Sequence, residues 1–339
     1  MKFMSSYLNH AVDDPAAWYG PALCDSVDWI YSLAHQDIRE IENALSKVRS
    51  KPVRQIQKSD FHLPSLGSRL AKIKNTIDQG LGITLIKGLP VASFSVDDAA
   101  RVLWGMGQHI GIPQPQDADK ELLHHVRDTG SIVENNPNLR YYQTNAAQKY
   151  HNDGGDIVML LCLRPAVSGG ASQMVSAITV FNEIITRRPE LAEVLQKPFF
   201  FDARGQQLDD KSSIQKVPIY LWHEGRLNAL YKRPYIEFAQ RFKDVPKLSQ
   251  EQVAALDFLD KLCSDPEINI TFFMEPGDIQ VASNFSIFHA RDAFNDSAIA
   301  SEKRHMIRLW LGLPDGRALP SAFRSTREFG PLFDIRGRL

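Results

Sequence analysis

The chain has 339 residues, 43% hydrophobic and 23% charged, which is the composition of an ordinary globular protein. Its 39 basic and 40 acidic residues nearly cancel, and no long basic run occurs, so nucleic acid and anionic membranes are poor partners. No apolar run reaches the roughly 18 residues of a membrane-spanning helix, and the first residues lack the apolar core of a signal peptide. Three widely spaced cysteines fit neither a disulfide framework nor a zinc knuckle. We therefore expect a cytoplasmic protein, with a homo-oligomer as an open possibility.

The first part of the chain carries apolar residues at helical spacing. Trp29, Ile38 and Leu45 recur with charged residues between them, which predicts that residues 1–50 are helical. Pro52 ends this pattern, since proline cannot continue a helix.

Downstream of this segment, short strands separated by glycine and proline turns alternate irregularly with helices. The predicted helices cover residues 65–79, 95–111, 180–195 and 249–264. The predicted strands cover residues 81–88, 141–144, 157–163, 268–273, 279–282 and 306–313, with several short strands over 199–228. This pattern favours a mainly β jelly roll or β-sandwich with flanking helices over a parallel α/β fold. The predicted organisation is an N-terminal helical extension, residues 1–60, packed on one domain, residues 61–339.

A histidine and an aspartate two positions apart stand directly before the strand at 157–163. In an extended segment residues i and i+2 point to the same side, so His151 and Asp153 can direct a nitrogen and an oxygen at one point. This is two thirds of the triad of two histidines and one carboxylate that holds non-haem Fe(II). His289 is the best candidate for the third ligand. The residues leave open that Asp153 caps a turn and that both histidines are structural.

The order of these features resembles the taurine dioxygenase family of Fe(II)/2-oxoglutarate oxygenases, which includes clavaminate-synthase-like enzymes. The likeness covers roughly residues 80–320. It rests on residues that follow one another as in that family: His151 and Asp153, Ser172 after a Gly-Gly turn, Asn284, His289 and Arg291, and finally Arg304. The resemblance implies a double-stranded β-helix (a cupin-like jelly roll) and a 2-oxoglutarate-dependent dioxygenase.

Residue by residue, the resemblance implies that His151, Asp153 and His289 ligate Fe(II). It also implies that Arg304 and the Ser172 hydroxyl bind the distal carboxylate of 2-oxoglutarate, for which a planar guanidinium is suited. In that family, O2 and 2-oxoglutarate are consumed, succinate and CO2 are released, and a substrate C–H bond is oxidised. Related halogenases lack the carboxylate ligand, so Asp153 favours hydroxylation or a related C–H oxidation.

Arg308 lies four residues beyond Arg304, on the same face of the predicted strand. Because the arginine at this position in relatives can reach the substrate, we expect an anionic substrate, such as an amino-acid derivative or a specialised metabolite. Tyr142 and Asn145 are expected to add an aromatic wall and a hydrogen bond. The alternative is that Arg308 only reinforces the 2-oxoglutarate pocket or pairs with an internal carboxylate.

Two other functions use the same ligand residues. One is a non-catalytic jelly-roll protein that binds a metal or ligand at this site. The other is a zinc hydrolase, which would not explain an arginine and a serine placed for a dicarboxylate.

Overall fold

The computed structural model describes residues 7–130, 143–207 and 212–337. In this part of the chain the α-helices are α1 (Gly20–Cys24), α2 (His35–Val48), α3 (Leu66–Gln79), α4 (Val96–Gln108), α5 (Ala177–Arg187), α6 (Pro189–Leu195), α7 (Arg233–Ala239), α8 (Gln250–Cys263) and α9 (Gly330–Arg336). The strands are β1 (Ile30–Ser32), β2 (Ile83–Lys87), β3 (Ile112–Pro113), β4 (Leu123–Val126), β5 (Gln148–His151), β6 (Ile157–Arg164), β7 (Ser168–Gly169), β8 (Ser172–Ser176), β9 (Pro198–Asp202), β10 (Ile214–Pro218), β11 (Tyr220–His223), β12 (Arg226–Ala229), β13 (Ile270–Phe272), β14 (Ile279–Ser283), β15 (Ile287–Arg291), β16 (Phe294–Asn295) and β17 (His305–Gly312).

Local signals in the sequence set several helix ends. The Ser95 hydroxyl accepts a hydrogen bond from a backbone N–H in the first turn of α4, and Ser249 with Gln252 forms a capping box at the start of α8. The single helix predicted for 180–195 is wrong. It is two helices, α5 and α6, because Pro189 cannot donate to the preceding turn and starts a new helix instead.

The continuous helix predicted for residues 1–50 is also wrong. Helix α2 covers only part of this segment, and residues 30–32 are extended. They form β1, which pairs in parallel with β2, with Ile30 opposite Leu85. Pairing with a buried strand satisfies the backbone of this segment and overrides the helical spacing of its apolar residues.

Two sheets form the body of the protein. The larger has the order β1-β2-β14-β6-β17-β3, with β4 also pairing with β17, and the smaller has the order β13-β8-β15-β5. All pairings in these two sheets are antiparallel except that of β1 with β2. The predicted jelly roll with flanking helices is confirmed.

The core between the sheets contains side chains from both of them. Val158 and Trp310 of the larger sheet pack with Met174 and Ile287 of the smaller one. Helices α2, α3 and α4 cover the outer face of the larger sheet, and α5, α6 and α8 cover the smaller one. None of the helices in the described ranges has the length and apolar character needed to cross a membrane.

Candidate active site

The three predicted metal ligands meet at one end of the space between the sheets. His151 ends β5 and lies opposite His289 of β15 in the strand register, with their ring centroids 4.3 Å apart. Asp153 lies in the loop from β5 to β6. Its carboxylate oxygens are 3.9 Å from Nε2 of His151 and 3.7 Å from Nε2 of His289. One donor atom from each residue lies within 4.8 Å of the others, so the three can face one ion.

Two fully buried asparagines fix the loop that carries Asp153. The Asn152 amide donates to the carbonyls of Asn284 (2.8 Å) and Ile287 (3.0 Å), and its oxygen accepts from the Tyr231 backbone N–H (2.7 Å). The Asn284 oxygen accepts from the backbone N–H of Asp153 at 3.2 Å. Sequence reasoning treated Asn152 only as a turn former. The signal it missed is that the middle residue of an extended His-x-Asp segment points away from the ligands, into the protein.

The protonation states of the three residues suit a divalent cation. Burial lowers the pKa of His151 well below its usual value, with a further contribution from His289, and burial also lowers the pKa of His289. Burial opposes ionisation of Asp153, but Arg308 and the two histidines outweigh it and hold the pKa of that carboxyl low. Neutral imidazoles and an ionised carboxylate are the forms that bind metals.

The tautomer of His151 is set by its own strand. Its Nδ1 lies 2.9 Å from the Lys149 carbonyl oxygen, which can only accept, so Nδ1 carries the hydrogen and Nε2 keeps its lone pair. The same Nε2 lies 2.8 Å from the side-chain amide of Gln148. The donor set and its protonation therefore fit Fe(II).

Arg308 of β17 is held beside the ligands by two partners. Its Nη1 donates to both oxygens of Asp153 (3.2 and 3.1 Å), and its Nε donates to the Gln116 side chain at 2.8 Å. The guanidinium lies 5.0 Å above the Trp310 ring. The structure thus contains the internal carboxylate pairing that the sequence left open for Arg308.

The two residues predicted to bind 2-oxoglutarate line the same cavity as the ligands. Ser172 begins β8, and Arg304 directly precedes β17. Arg304 is only 2% exposed, and its Nη1 has no hydrogen-bond partner among the described residues. Burial lowers its pKa to about 10, so it remains a cation at neutral pH. Asp296 lies near enough to favour the charge, but the guanidinium forms no salt bridge among the described residues, so it is suited to receive a carboxylate.

Residues 49–310 match the taurine catabolism dioxygenase TauD/TfdA family. The chain belongs to this family. It is a 2-oxoglutarate-dependent dioxygenase, as the resemblance implied. The match begins at residue 49, whereas the predicted main domain begins at residue 61, and the match includes all the predicted ligands.

Individual relatives of this dioxygenase resemble it over most of their length. It is 28% identical over 337 residues to FR-33289 synthase of Streptomyces rubellomurinus (strain ATCC 31215), covering 96% of this chain and 97% of the relative. It is 26% identical over 222 residues to a uridine-5'-phosphate dioxygenase of a Streptomyces species, covering 61% and 78% respectively.

Two solved structures share the fold. Asparagine oxygenase in complex with Fe(II), 3-hydroxyasparagine and succinate gives a TM-score of 0.65 at 16% identity, covering 84% of this chain and 94% of that one. The non-haem iron oxygenase OrfP in complex with Fe and α-ketoglutaric acid gives a TM-score of 0.58 at 14% identity, again covering 84% of this chain and 94% of that one.

Arg291 is a second buried arginine of the dioxygenase's cavity, and sequence reasoning named it only as part of a motif. Its Nη2 donates to the carbonyls of Thr144 (3.2 Å) and Ala146, while Nη1 has no hydrogen-bond partner among the described residues. Arg291 and Arg304 both lie over the Phe294 ring, at 4.6 and 5.1 Å. The sequence could have predicted this position, because residues i and i+2 of a strand share a side and Arg291 is two residues after His289.

The two remaining predicted substrate residues are not brought into this cavity by the described structure. Tyr142 lies outside the described residues. Asn145 is exposed, its backbone oxygen accepts a hydrogen bond from the Phe294 N–H at 3.1 Å, and it does not line the cavity.

Proposed function

We propose that His151, Asp153 and His289 hold the iron of this dioxygenase, and that Arg304 and Ser172 bind the distal carboxylate of 2-oxoglutarate. The observation that carries this proposal is the buried Arg304, with no salt bridge among the described residues, in the same cavity as a cluster of two histidines and one carboxylate. A zinc hydrolase would not need that arginine.

Each protein group has a defined task in this reaction. Bound Fe(II) supplies the redox chemistry that couples O2 to the decarboxylation of 2-oxoglutarate and to oxidation of a substrate C–H bond. Arg308 keeps Asp153 ionised and oriented through its paired hydrogen bonds. The Lys149 carbonyl keeps Nε2 of His151 unprotonated, as a metal ligand requires. Asn152 and Asn284 keep the ligand loop rigid, which preserves the ligand geometry through turnover.

Arg304 determines how 2-oxoglutarate lies in the cavity. A carboxylate that pairs with this guanidinium supplies the salt bridge that Arg304 lacks among the described residues. The surrounding protein excludes most water, which strengthens that pair relative to one at the surface. With the distal carboxylate fixed there, the keto-acid end is directed back toward the three ligands, which line the same cavity.

For the primary substrate we propose a small anionic molecule that is hydroxylated or undergoes a related C–H oxidation. Support comes from a second arginine of the cavity. Arg291 is buried, lines the same cavity as the proposed ligands, and its Nη1 has no hydrogen-bond partner among the described residues. The names of a structural neighbour, asparagine oxygenase, and of a relative, uridine-5'-phosphate dioxygenase, are compatible with polar and anionic small molecules. Location in the cytoplasm stays a prediction from the sequence.

The test is anaerobic addition of Fe(II) and then 2-oxoglutarate to the purified protein. We expect one Fe(II) per chain and a weak visible charge-transfer band once the keto acid chelates the metal. His289→Ala should lose both the iron and the band, because it removes one of three ligands.

His223→Ala is the matched control, since His223 is a partly buried strand histidine outside the cavity, and it should keep both signals. Iron bound without a band in the unmodified protein would contradict the 2-oxoglutarate site. An unchanged band in His289→Ala would contradict the ligand assignment.

A further inference from the structure

A second cavity adjoins Arg304 and is separate from the metal ligands. Its volume is about 290 Å³. We call it the basic cavity, and its charged and titratable lining residues are Arg127, Asp128, Arg164, Lys303, Arg304 and His305. It lies where the β4 end and the β6 end approach the start of β17. Nothing in the proposed reaction uses it.

The positive charge in the basic cavity is only partly neutralised by the described residues. Among the described residues, Arg127, Arg164 and Lys303 form no ion pair, and Asp128 is the only acidic residue of the lining. Arg164 donates through Nε to the backbone carbonyl of Lys303 at 3.1 Å, which fixes the side chain and leaves its charge unmatched. The chain as a whole carries a formal charge of −1, so this excess is local.

His305 does not add to this charge at neutral pH. Its Nε2 lies 2.8 Å from Nδ1 of His125, so one of the two rings must present a lone pair. Burial, together with His125 and Arg127, lowers the pKa of His305 to about 4. His305 therefore contributes a neutral hydrogen-bonding ring to the lining, and the arginine and lysine side chains supply the positive charge.

The size and charge of the basic cavity define its ligand class. A liquid water molecule occupies roughly 30 Å³, so the cavity has room for a phosphate or a short dicarboxylate with its remaining hydration. Arginines pair with the flat oxygen edges of such anions, and a lysine adds a point charge. We propose that the basic cavity is a second binding site, for a small dianion of the phosphate or dicarboxylate class.

The shared Arg304 couples this site to the reaction, a consequence that rests on the role proposed above for Arg304. A dianion in the basic cavity reduces the positive potential at the arginine that receives 2-oxoglutarate. Binding at the two sites is then mutually unfavourable, and by linkage the effect is reciprocal. The second site would thus respond to the anion concentration and set the apparent affinity for the co-substrate.

The binding test uses the full-length protein, without iron or 2-oxoglutarate, at constant ionic strength in chloride. Calorimetric titration with inorganic phosphate, and separately with succinate, should give saturable binding of at least one of them. Lys303→Gln and Arg127→Gln should each weaken that binding roughly tenfold, the loss expected for one charge-assisted contact.

Lys243→Gln is the matched control, because it removes an exposed lysine remote from the cavity's lining, and its binding should equal that of the unmodified protein. Binding of phosphate alone or of succinate alone that is weakened in a cavity variant supports the site and identifies its class. Saturable binding of neither anion, or binding unchanged in both cavity variants, overturns the proposal.

A second measurement tests the coupling. The apparent KM for 2-oxoglutarate should rise with the concentration of the anion that binds, and it should rise less in Lys303→Gln. An equal rise in both proteins would show competition within the active site and would refute the coupling. The calorimetric result does not depend on turnover, so failure of the dioxygenase assignment and failure of the second site are distinguishable.

Discussion

Two groups of buried cations flank the metal ligands, and they differ in whether the protein supplies a counter-charge. On one side, Arg304 and Arg291 lie over Phe294, and each has an Nη1 without a hydrogen-bond partner among the described residues. On the other side, Arg308 is paired with Asp153, and Lys232 donates to Glu328 at 2.6 Å. The first group is arranged to receive an external anion, and the second stabilises the site itself.

This difference has an energetic basis. A buried charge is costly unless it is paired, so an arginine kept unpaired in the fold lowers stability in exchange for affinity toward a ligand. A buried cation whose carboxylate partner is in the protein contributes to rigidity. Removing the cation leaves that carboxylate buried and unpaired, which is costly. The two groups should therefore respond oppositely to neutral substitutions.

The largest effect is expected for Arg304→Gln. The variant loses a buried charge-assisted pair with 2-oxoglutarate, so its KM for 2-oxoglutarate should rise roughly 100-fold. Its free energy of unfolding should not fall, because the substitution removes a buried charge that has no salt-bridge partner among the described residues. Steady-state kinetics and urea unfolding measure the two quantities. Arg187→Gln, at an exposed position of α5, is the control for the loss of an arginine. If Arg304→Gln were destabilised and its KM for 2-oxoglutarate were unchanged, Arg304 would stabilise the fold rather than bind the co-substrate.

Arg308→Gln should have the opposite signature. It leaves Asp153 buried without its nearest cation, so metal-free protein should lose about 3 kcal/mol of stability. A bound divalent cation supplies the missing charge, and the loss should shrink when Fe(II) is added anaerobically. Kinetics then separate the substrate roles. A higher KM for the primary substrate alone supports contact with it, whereas a higher KM for 2-oxoglutarate alone argues that Arg308 serves the co-substrate pocket.

A smaller effect is expected for Lys232→Met. Glu328 keeps Arg327 at 3.5 Å, so the loss at pH 7 should be about 2 kcal/mol, less than for a fully unpaired carboxylate. Burial raises the pKa of Glu328, but Lys232 and Arg327 prevail and lower it to about 2, below the ordinary 4.5. A depressed carboxyl pKa stabilises the fold above pH 4.5, and this contribution is lost as the pH falls toward 2.

In Lys232→Met the pKa of Glu328 is higher than in the unmodified protein. The stability gap between the two proteins should therefore narrow between pH 7 and pH 4, which urea unfolding at each pH measures. A gap that stays constant with pH would show that Lys232 acts by packing rather than through its charge.

Much of the fold was readable from local pattern. Strands β6 and β17 are long apolar runs, helix α8 begins with a capping box, and Gly155, after Asp153, takes the positive φ that glycine readily adopts. The predictions failed where tertiary contacts compete with local spacing. Residues 30–32 have helical neighbours but become a strand because the edge of the larger sheet offers hydrogen-bond partners.

For the site, the sequence by itself determined which residues are proposed to carry the chemistry. His151 and Asp153 share a side of one extended segment for reasons of backbone geometry alone, and the later histidine and arginine stand in an order that only one resemblance explains. The tertiary structure decided their partners. It paired Arg308 with Asp153, left the Nη1 of Arg304 without a hydrogen-bond partner among the described residues, and turned Asn152 inward to hold the ligand loop. Pairing across two sheets depends on register and packing between segments far apart in the chain, which local sequence does not encode.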